Sequence, residues 1–225
     1  MKINYCLPII KNNKEEILRI VQENRNIYQY IEVWLEPIDS PDNDFLEKLI
    51  TILGDRLILL FWRENIQAAK LTFERKQEIV TLIGNRCLID LDILNDKEIL
   101  EYIGDKKLKM KTIVSYHNYQ ETPTAEKLKE IIDTMMKYQP DIVKVSTLCK
   151  TPADAVRLLE VLLDLKSHEQ RCIVLGMGEH GSITRIFGTL WGNELIYAPQ
   201  NVSEQSAPGQ LTKEKLETIF KNLQK

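Results

Sequence analysis

Short apolar segments alternate with longer amphipathic segments along this chain. The short segments are almost continuously apolar and rich in β-branched or aromatic residues, which is typical of parallel strands buried on both faces. We predict strands at residues 3–9, 30–36, 57–62, 87–92, 111–117, 142–147, 172–177 and 194–198.

The longer segments place apolar residues three and four positions apart, as one buried face of a helix requires. The clearest example is 152–165, where Thr151 can cap the helix and Pro152 occupies its first turn. We predict helices at residues 14–24, 44–53, 67–84, 95–103, 124–137, 152–165 and 212–223. Four of the nine glycines fall between Gly176 and Gly188, which predicts a shaped loop there.

This alternation predicts an α/β protein. Eight strands interleaved with helices in 225 residues fit a single (β/α)8 TIM barrel. A doubly wound open sheet is the competing arrangement, but no glycine-rich phosphate turn follows the first strand. Because no linker, repeat or low-complexity segment interrupts the chain, we expect one catalytic domain over residues 1–225.

Composition and charge exclude several classes of partner. The 30 basic and 33 acidic residues give a net charge of −3, so we expect neither nucleic acid nor an anionic membrane as a partner. No apolar run reaches the roughly 18 residues of a membrane-spanning helix, and the N-terminus lacks the pattern of a signal peptide. The four cysteines are widely separated and show no metal-like or redox-like spacing. We therefore expect a cytoplasmic protein.

The active site of a (β/α)8 barrel lies at the carboxyl ends of its strands. Polar residues at or just beyond those ends are therefore the candidates for chemistry. They are Glu32, Trp34, Glu36, Arg63, Asp90, Asp92, His117, Lys144, Arg185, Ser206 and Gln210.

Lys144 is the strongest candidate for a catalytic residue, because apolar residues precede and follow it within a predicted strand. Burial lowers the pKa of a lysine and makes the neutral amine available as a Schiff-base nucleophile. In the alternative, the strand is shifted and Lys144 snorkels to the rim. His117 ends the preceding strand, where a general acid and base would stand. A lone histidine there is more often structural, but its pairing with Lys144 favours catalysis.

Two arginines and one loop complete the predicted site. Arg63 and Arg185 lie near the same face and can bind a carboxylate or a phosphate with two hydrogen bonds each. In the alternative, each forms a surface ion pair. The polar loop that contains residues 206–210 is either a lid or a plain connector before the last helix.

Six short motifs, in this order, resemble those of the type I 3-dehydroquinate dehydratases, and the resemblance spans roughly residues 3–210. They are 32–36 (EVWLE), 61–63 (FWR), 115–119 (SYHNY), 142–145 (IVKV), 177–185 (with Met177, Gly178, Gly181 and Arg185) and 206–210 (SAPGQ). Each motif alone is weak evidence, but six in the correct order at barrel-like spacing are strong evidence for the resemblance.

The resemblance implies a reaction of the shikimate pathway, which leads through chorismate to the aromatic amino acids. Lys144 would form an imine with the C3 ketone of 3-dehydroquinate. His117 would remove a proton from C2 and later protonate the departing C1 hydroxyl, giving 3-dehydroshikimate. The family needs no metal and no dissociable cofactor, and it often forms homodimers.

The resemblance also implies the contacts of the substrate. Arg185 would hold its carboxylate, helped by Ser206 and Gln210 as the loop closes. Glu32 and Arg63 would hold its ring hydroxyls. Met177 belongs to the motif that contains Arg185, and we expect it beside the site.

The chain departs from the family pattern at several positions. Gln67 stands where the family has a glutamate that supports the catalytic histidine, and Trp34 replaces an arginine. Glu36 replaces an aspartate, and Asp92 shortens a usual glutamate. Because an amide cannot stabilise an imidazolium as a carboxylate does, we expect Gln67 to lower the effective basicity of His117.

Three other interpretations remain open at this point. A class I aldolase or transaldolase also uses a lysine on a barrel strand, but the chain shows no clear phosphate loop. A non-catalytic relative would bind a quinate-like acid without turnover. The chain could also be one module of a larger pathway polypeptide.

Overall fold

The computed structural model describes residues 3–61 and 71–223. Its strands are β1 Tyr5–Ile9, β2 Tyr30–Trp34, β3 Leu57–Leu60, β4 Leu88–Asp92, β5 Lys111–Asn118, β6 Ile142–Leu148, β7 Cys172–Met177 and β8 Ile196–Tyr197. Its α-helices are α1 Lys14–Asn24, α2 Asn43–Leu53, α3 Phe73–Ile83, α4 Lys97–Asp105, α5 Ala125–Met136, α6 Pro152–Ser167, α7 Gly178–Trp191 and α8 Lys213–Leu223.

The strands form one parallel sheet in the order β7-β6-β5-β4-β3-β2-β1-β8. Asn193 joins the two ends of this sheet, because its side chain accepts a hydrogen bond from the Val174 amide at 2.7 Å and donates to the Val174 carbonyl at 3.0 Å. The Glu194 amide also donates to the Cys172 carbonyl. The sheet is thus a nearly closed (β/α)8 barrel, which confirms the predicted fold.

Both faces of the strands are buried, and this explains their continuous apolar sequences. A large core cluster lies between the outer face of the sheet and the helices. A smaller cluster fills the barrel interior, with Ile58, Leu88, Ile113, Ile142 and Ile173 among its members. Because side chains alternate along a strand, the next inward-facing residues beyond these isoleucines and leucines lie toward the carboxyl ends. There the interior becomes polar.

Most predicted elements lie within a few residues of their observed bounds. Thr151 caps α6 in a reciprocal capping box with Asp154. Helix α3 begins at Phe73, so the predicted helix is wrong at residues 71 and 72, and its residues 67–70 lie outside the described part of the chain. Strand β8 contains two residues, because only Ile196 and Tyr197 pair with β1.

The predicted loop between Gly176 and Gly188 is wrong, because these residues lead into and form much of α7. A Cβ atom on Gly181 would stand 2.3 Å from the Gly176 carbonyl carbon. The glycines therefore allow this helix to pack directly against the end of β7. Among the described residues, no helix combines the length and the apolar character needed to cross a membrane.

Candidate active site

A small cavity opens at the carboxyl ends of the strands. We call it the central cavity. It is lined by Glu32, Trp34, His117, Tyr119, Lys144, Ser146, Leu175, Met177, Arg185, Tyr197, Ser206, Ala207 and Gln210. The barrel therefore brings together most of the predicted site residues, including Met177.

Lys144 lies inside the barrel and its side chain is only 5% exposed. It occupies an inward-facing position of β6, between Ile142 and Ser146. Its Nζ atom donates to Asp90 Oδ2 at 2.6 Å and to the Tyr197 hydroxyl at 2.8 Å. This buried position excludes the alternative in which Lys144 snorkels to the rim.

The carboxylates around Lys144 decide its resting charge. Asp90 is in direct contact with Nζ, and Glu32 Oε2 lies 3.6 Å from it. Burial penalises an ammonium group, whereas neighbouring carboxylates stabilise it. With two carboxylates this close, the geometry favours the ammonium as the resting form of the free site. An amine nucleophile at this position must therefore first give up a proton.

His117 stands near the end of β5, next to Lys144 on β6. Ser115 pairs with Lys144 and His117 pairs with Ser146, so His117 lies one inward-facing position above the lysine. Its Nδ1 atom is 2.8 Å from Asp92 Oδ2. An ionised carboxylate can only accept, so Nδ1 carries the proton and Nε2 keeps a lone pair that can act as a base.

Asp92 is itself held in place. Its Oδ1 atom accepts hydrogen bonds from the amides of Leu94 and Asn95 at 3.0 and 3.1 Å. Gln67, the residue expected to weaken His117, lies outside the described residues, as does Arg63. In the described part of the chain, Asp92 supplies a carboxylate to His117, a contact that the sequence analysis did not assign.

Arg185 on α7 is 1% exposed and points its guanidinium group to the central cavity. Its Nη2 atom donates to the Pro208 carbonyl at 3.4 Å, while Nε and Nη1 have no hydrogen-bond partner among the described residues. Burial lowers the pKa of Arg185 from 12.5 to about 10, so the group remains cationic at neutral pH. A buried cation with unused donors is suited to bind a carboxylate or another anion.

The loop that holds residues 206–210 closes over Arg185. The Ser206 amide donates to Gln210 Oε1 at 2.9 Å, and Gln210 Nε2 donates to Ser206 Oγ at 2.8 Å. The Gly178 amide donates to the Pro208 carbonyl, which ties the loop to the start of α7. Gly209 has φ +84°, and a Cβ atom there would stand 2.8 Å from the Gly178 carbonyl oxygen. The loop thus presents Ser206 and Gln210 to the cavity.

Glu32 lies at the other side of the cavity and is almost completely buried. Its Oε1 atom accepts from Trp34 Nε1 at 2.8 Å, and Oε2 accepts from the Tyr197 hydroxyl at 2.6 Å. Each carboxylate oxygen has a second lone pair. Glu32 can therefore still accept a hydrogen bond from a bound molecule.

Like Asp90 and Asp92, Glu36 does not line the central cavity. Its Oε2 atom accepts from the Leu71 amide at 2.7 Å, and its Oε1 atom lies 3.9 Å from Lys76 Nζ. Lys76 also donates to Asp96 at 2.8 Å. These contacts connect the end of β2 to α3 and to the loop before α4, so the role they indicate for Glu36 is to hold these elements together.

Tyr197 is the main site residue that sequence reasoning missed. It lies in the predicted strand at residues 194–198 but is not among the polar candidates identified from the sequence. Because β8 is short, its alternation gave little information about which side chains point inward. The signal available was that a buried tyrosine needs a partner for its hydroxyl. The structure supplies two such partners, Lys144 and Glu32.

Comparisons with known proteins agree with this geometry. The model of the family "Type I 3-dehydroquinase" matches residues 5–225. A 3-dehydroquinate dehydratase of Methanocaldococcus jannaschii is 28% identical over 96% of this chain and 97% of its own length. One from Coxiella burnetii is 28% identical over 98% of this chain and 93% of its own length. A crystal structure of 3-dehydroquinate dehydratase from Geobacillus kaustophilus shares the fold, with a TM-score of 0.84 at 23% identity over 100% of this chain and 92% of that one.

Proposed function

Since this chain belongs to the type I 3-dehydroquinase family, we propose that it removes water from 3-dehydroquinate through an imine formed on Lys144. The product is 3-dehydroshikimate, an intermediate of the shikimate pathway, and the reaction class is that of a hydro-lyase. The observation that carries the Schiff-base route is the buried Lys144 amine in the wall of the central cavity, below His117.

Binding begins with the substrate carboxylate. Arg185 offers Nε and Nη1, and the loop adds Ser206 and Gln210 beside it. A carboxylate there offsets the cost of a buried, unpaired cation. On the opposite side of the cavity, Glu32 holds a ring hydroxyl, and Met177 packs beside the ring. Arg63, which lies outside the described residues, is the second ligand of the ring hydroxyls that the family pattern implies.

Imine formation then uses Lys144. The ammonium loses a proton, and the nitrogen lone pair attacks the C3 carbonyl carbon while the carbonyl π electrons move to oxygen. A second proton then leaves nitrogen, and the electron pair freed on nitrogen expels the oxygen as water once that oxygen has gained two protons. The resulting iminium withdraws electrons from C2, so the C2 proton becomes acidic.

His117 completes the elimination. Its Nε2 atom takes the C2 proton, and the C–H electrons form the enamine. The enamine expels the C1 hydroxyl, which receives the same proton from His117 and departs as water. Asp92 stabilises the transient imidazolium, as a carboxylate on the second ring nitrogen does. Hydrolysis of the iminium releases 3-dehydroshikimate and restores Lys144. These steps require only protein groups, so we propose no metal and no cofactor.

Turnover of 3-dehydroquinate by the purified chain tests this proposal. The product is a conjugated enone, so its formation is followed by ultraviolet absorbance. We expect Lys144→Met to abolish turnover, because Met keeps the length of the side chain but has no amine. The matched control is Lys129→Met on the exposed face of α5, for which we expect no change. Cleavage of sugar phosphates would favour the aldolase alternative, and binding of 3-dehydroquinate without turnover would favour the non-catalytic one.

We also propose that residues 1–225 act as one catalytic domain, working in the cytoplasm as a homodimer. Helices α6 and α7 pack together and leave Val156, Leu163, Ile183 and Trp191 exposed on the surface. Exposed apolar side chains on two neighbouring helices are suited to contact a second copy. Sedimentation should give a dimer for the wild type and a monomer for Leu163→Asp, and a wild-type monomer would refute the proposed dimer. Cell fractionation tests the compartment.

A further inference from the structure

The Tyr197 hydroxyl lies between the imine-forming nitrogen of Lys144 and the carboxylate of Glu32. The hydroxyl accepts from Lys144 Nζ at 2.8 Å and donates to Glu32 Oε2 at 2.6 Å. Trp34 completes the chain by donating to the other oxygen of Glu32 at 2.8 Å. All four side chains are buried, so bulk water does not compete for these hydrogen bonds.

The direction of this hydrogen-bonded chain follows from the chemistry of its members. An ammonium group only donates and an ionised carboxylate only accepts, so the hydroxyl between them does both. Desolvation, with Glu32, Cys6 and Asp90 nearby, raises the pKa of Tyr197 well above 10, and the phenol therefore keeps its proton. Among the described residues, Lys144 and the Arg185 guanidinium are the cations that face this tyrosine.

We propose that Tyr197 is a catalytic residue that carries a proton from Lys144 Nζ to Glu32 during imine formation. This inference rests on the proposed function of Lys144. A proton leaves Nζ for the tyrosine oxygen, while the tyrosine proton moves to Glu32 Oε2. The N–H bonding electrons remain on nitrogen as the lone pair that attacks the carbonyl. The products are a neutral amine, an unchanged phenol and a neutral carboxyl group, and imine hydrolysis reverses the transfer.

The stoichiometry of imine formation explains why a second route is useful. An ammonium becomes an iminium with one proton on nitrogen, so two protons must leave Nζ and two must reach the departing oxygen. Asp90, at 2.6 Å, can accept one of them directly. Glu32 Oε2 lies 3.6 Å from Nζ, which is too far for a direct hydrogen bond. The Tyr197 hydroxyl bridges this distance and makes Glu32 the second acceptor.

The first test measures the reactivity of the Lys144 amine without the natural substrate. Wild-type protein and Tyr197→Phe are treated with formaldehyde and cyanoborohydride at neutral pH, and methylation of Lys144 is followed by peptide mass spectrometry. General acid–base groups contribute about 10²- to 10⁴-fold. Because Asp90 offers a parallel route, we expect a smaller effect than the largest of these. In Tyr197→Phe the rate of Lys144 methylation should fall by at least about tenfold.

Tyr30→Phe is the matched control, because Tyr30 also hydrogen-bonds a glutamate, Glu194, at the opposite end of the barrel. We expect it to leave Lys144 methylation unchanged. Equal methylation rates in Tyr197→Phe and the wild type would overturn the proposal, whether or not the protein turns over 3-dehydroquinate. Absence of Lys144 methylation in the folded wild type would overturn it as well, because no neutral amine would then reach the cavity.

The second test separates proton transfer from simple positioning. Replacement of Tyr197 by 3,5-difluorotyrosine keeps the hydroxyl and its two partners but makes the phenol more acidic. A relay predicts that the rate of Lys144 methylation changes at least about twofold with phenol acidity, as acid–base catalysis does. A residue that only positions Lys144 predicts no change, and that result would overturn the relay. Borohydride trapping with 3-dehydroquinate, run in parallel, reports separately on the proposed function.

Discussion

Arg185 allows a prediction in which stability and activity change in opposite directions. Its guanidinium is buried, and two of its nitrogen atoms have no partner among the described residues. Burial lowers its pKa from 12.5 to about 10. One pH unit of pKa displacement corresponds to about 1.4 kcal/mol, so the free protein loses about 3 kcal/mol by burying this cation. Because the pKa is lowered, the cost is fully present below about pH 10 and fades as the pH rises toward 12.5.

Arg185→Met removes the charge and keeps an apolar side chain of similar length. The variant also loses the hydrogen bond to the Pro208 carbonyl, which is worth about 1 kcal/mol. We therefore expect the free energy of unfolding at pH 7 to rise by about 1–3 kcal/mol. We expect kcat/KM for 3-dehydroquinate to fall by at least about 10²-fold, because a charged hydrogen-bonded pair contributes several kcal/mol to binding.

The assay is urea unfolding of the wild type and the variant, together with steady-state kinetics. Arg171→Met is the matched control, because Arg171 is exposed and pairs with Glu194. We expect this control to change stability by less than about 1 kcal/mol and to leave kcat/KM unchanged. An Arg185→Met protein that is less stable than the wild type and equally active would refute the reasoning.

Three further predictions concern the base and the anion-binding group. Asp92→Asn should lower kcat by about 10²- to 10⁴-fold with little change in KM, because His117 loses the carboxylate that fixes its tautomer; unchanged kinetics would exclude this role. Gln67→Glu supplies the carboxylate that the family has at this position of the sequence, so we expect a higher kcat and an altered pH–rate profile, and an unaltered profile would argue against the effect. In the wild type, KM should rise as the pH passes about 10, where Arg185 loses its proton; a flat KM up to pH 11 would contradict that assignment.

The barrel could be predicted from the sequence because each of its strands is buried on both faces. Continuous apolar runs such as 57–60 and 172–175 are visible without knowledge of their neighbours. Helix α7 could not be predicted in the same way. Its glycines lower helix propensity. Glycine is needed at Gly181 because the backbone packs closely against Gly176, a contact that exists only in the folded chain.

The candidate site was predictable to the extent that it follows one rule of the fold. Polar residues at the carboxyl ends of parallel strands converge, and this placed His117, Lys144 and Arg185 in one cavity. The pairing of His117 with Asp92 could not be read in this way, because it depends on the register between β4 and β5. The role of Tyr197 was hidden because β8 closes the sheet only in the folded chain.

The resting charge of Lys144 shows the same limit. Burial alone predicted a neutral amine, since its desolvation penalty follows from the apolar strand around it. The carboxylates of Asp90 and Glu32 come from β4 and β2, far away in sequence. Their positions favour the ammonium, and the need for a route that removes its proton follows from them.

Chemical trapping of the imine tests the central claim most directly. The protein is mixed with 3-dehydroquinate and borohydride, its intact mass is measured, and the modified peptide is mapped. We predict a single adduct on Lys144, with a mass showing that the bound ligand has already lost the C1 hydroxyl as water. An adduct on Lys144 that retains this hydroxyl would mean that His117 does not complete the elimination. No adduct on Lys144 with substrate in large excess would contradict the Schiff-base mechanism.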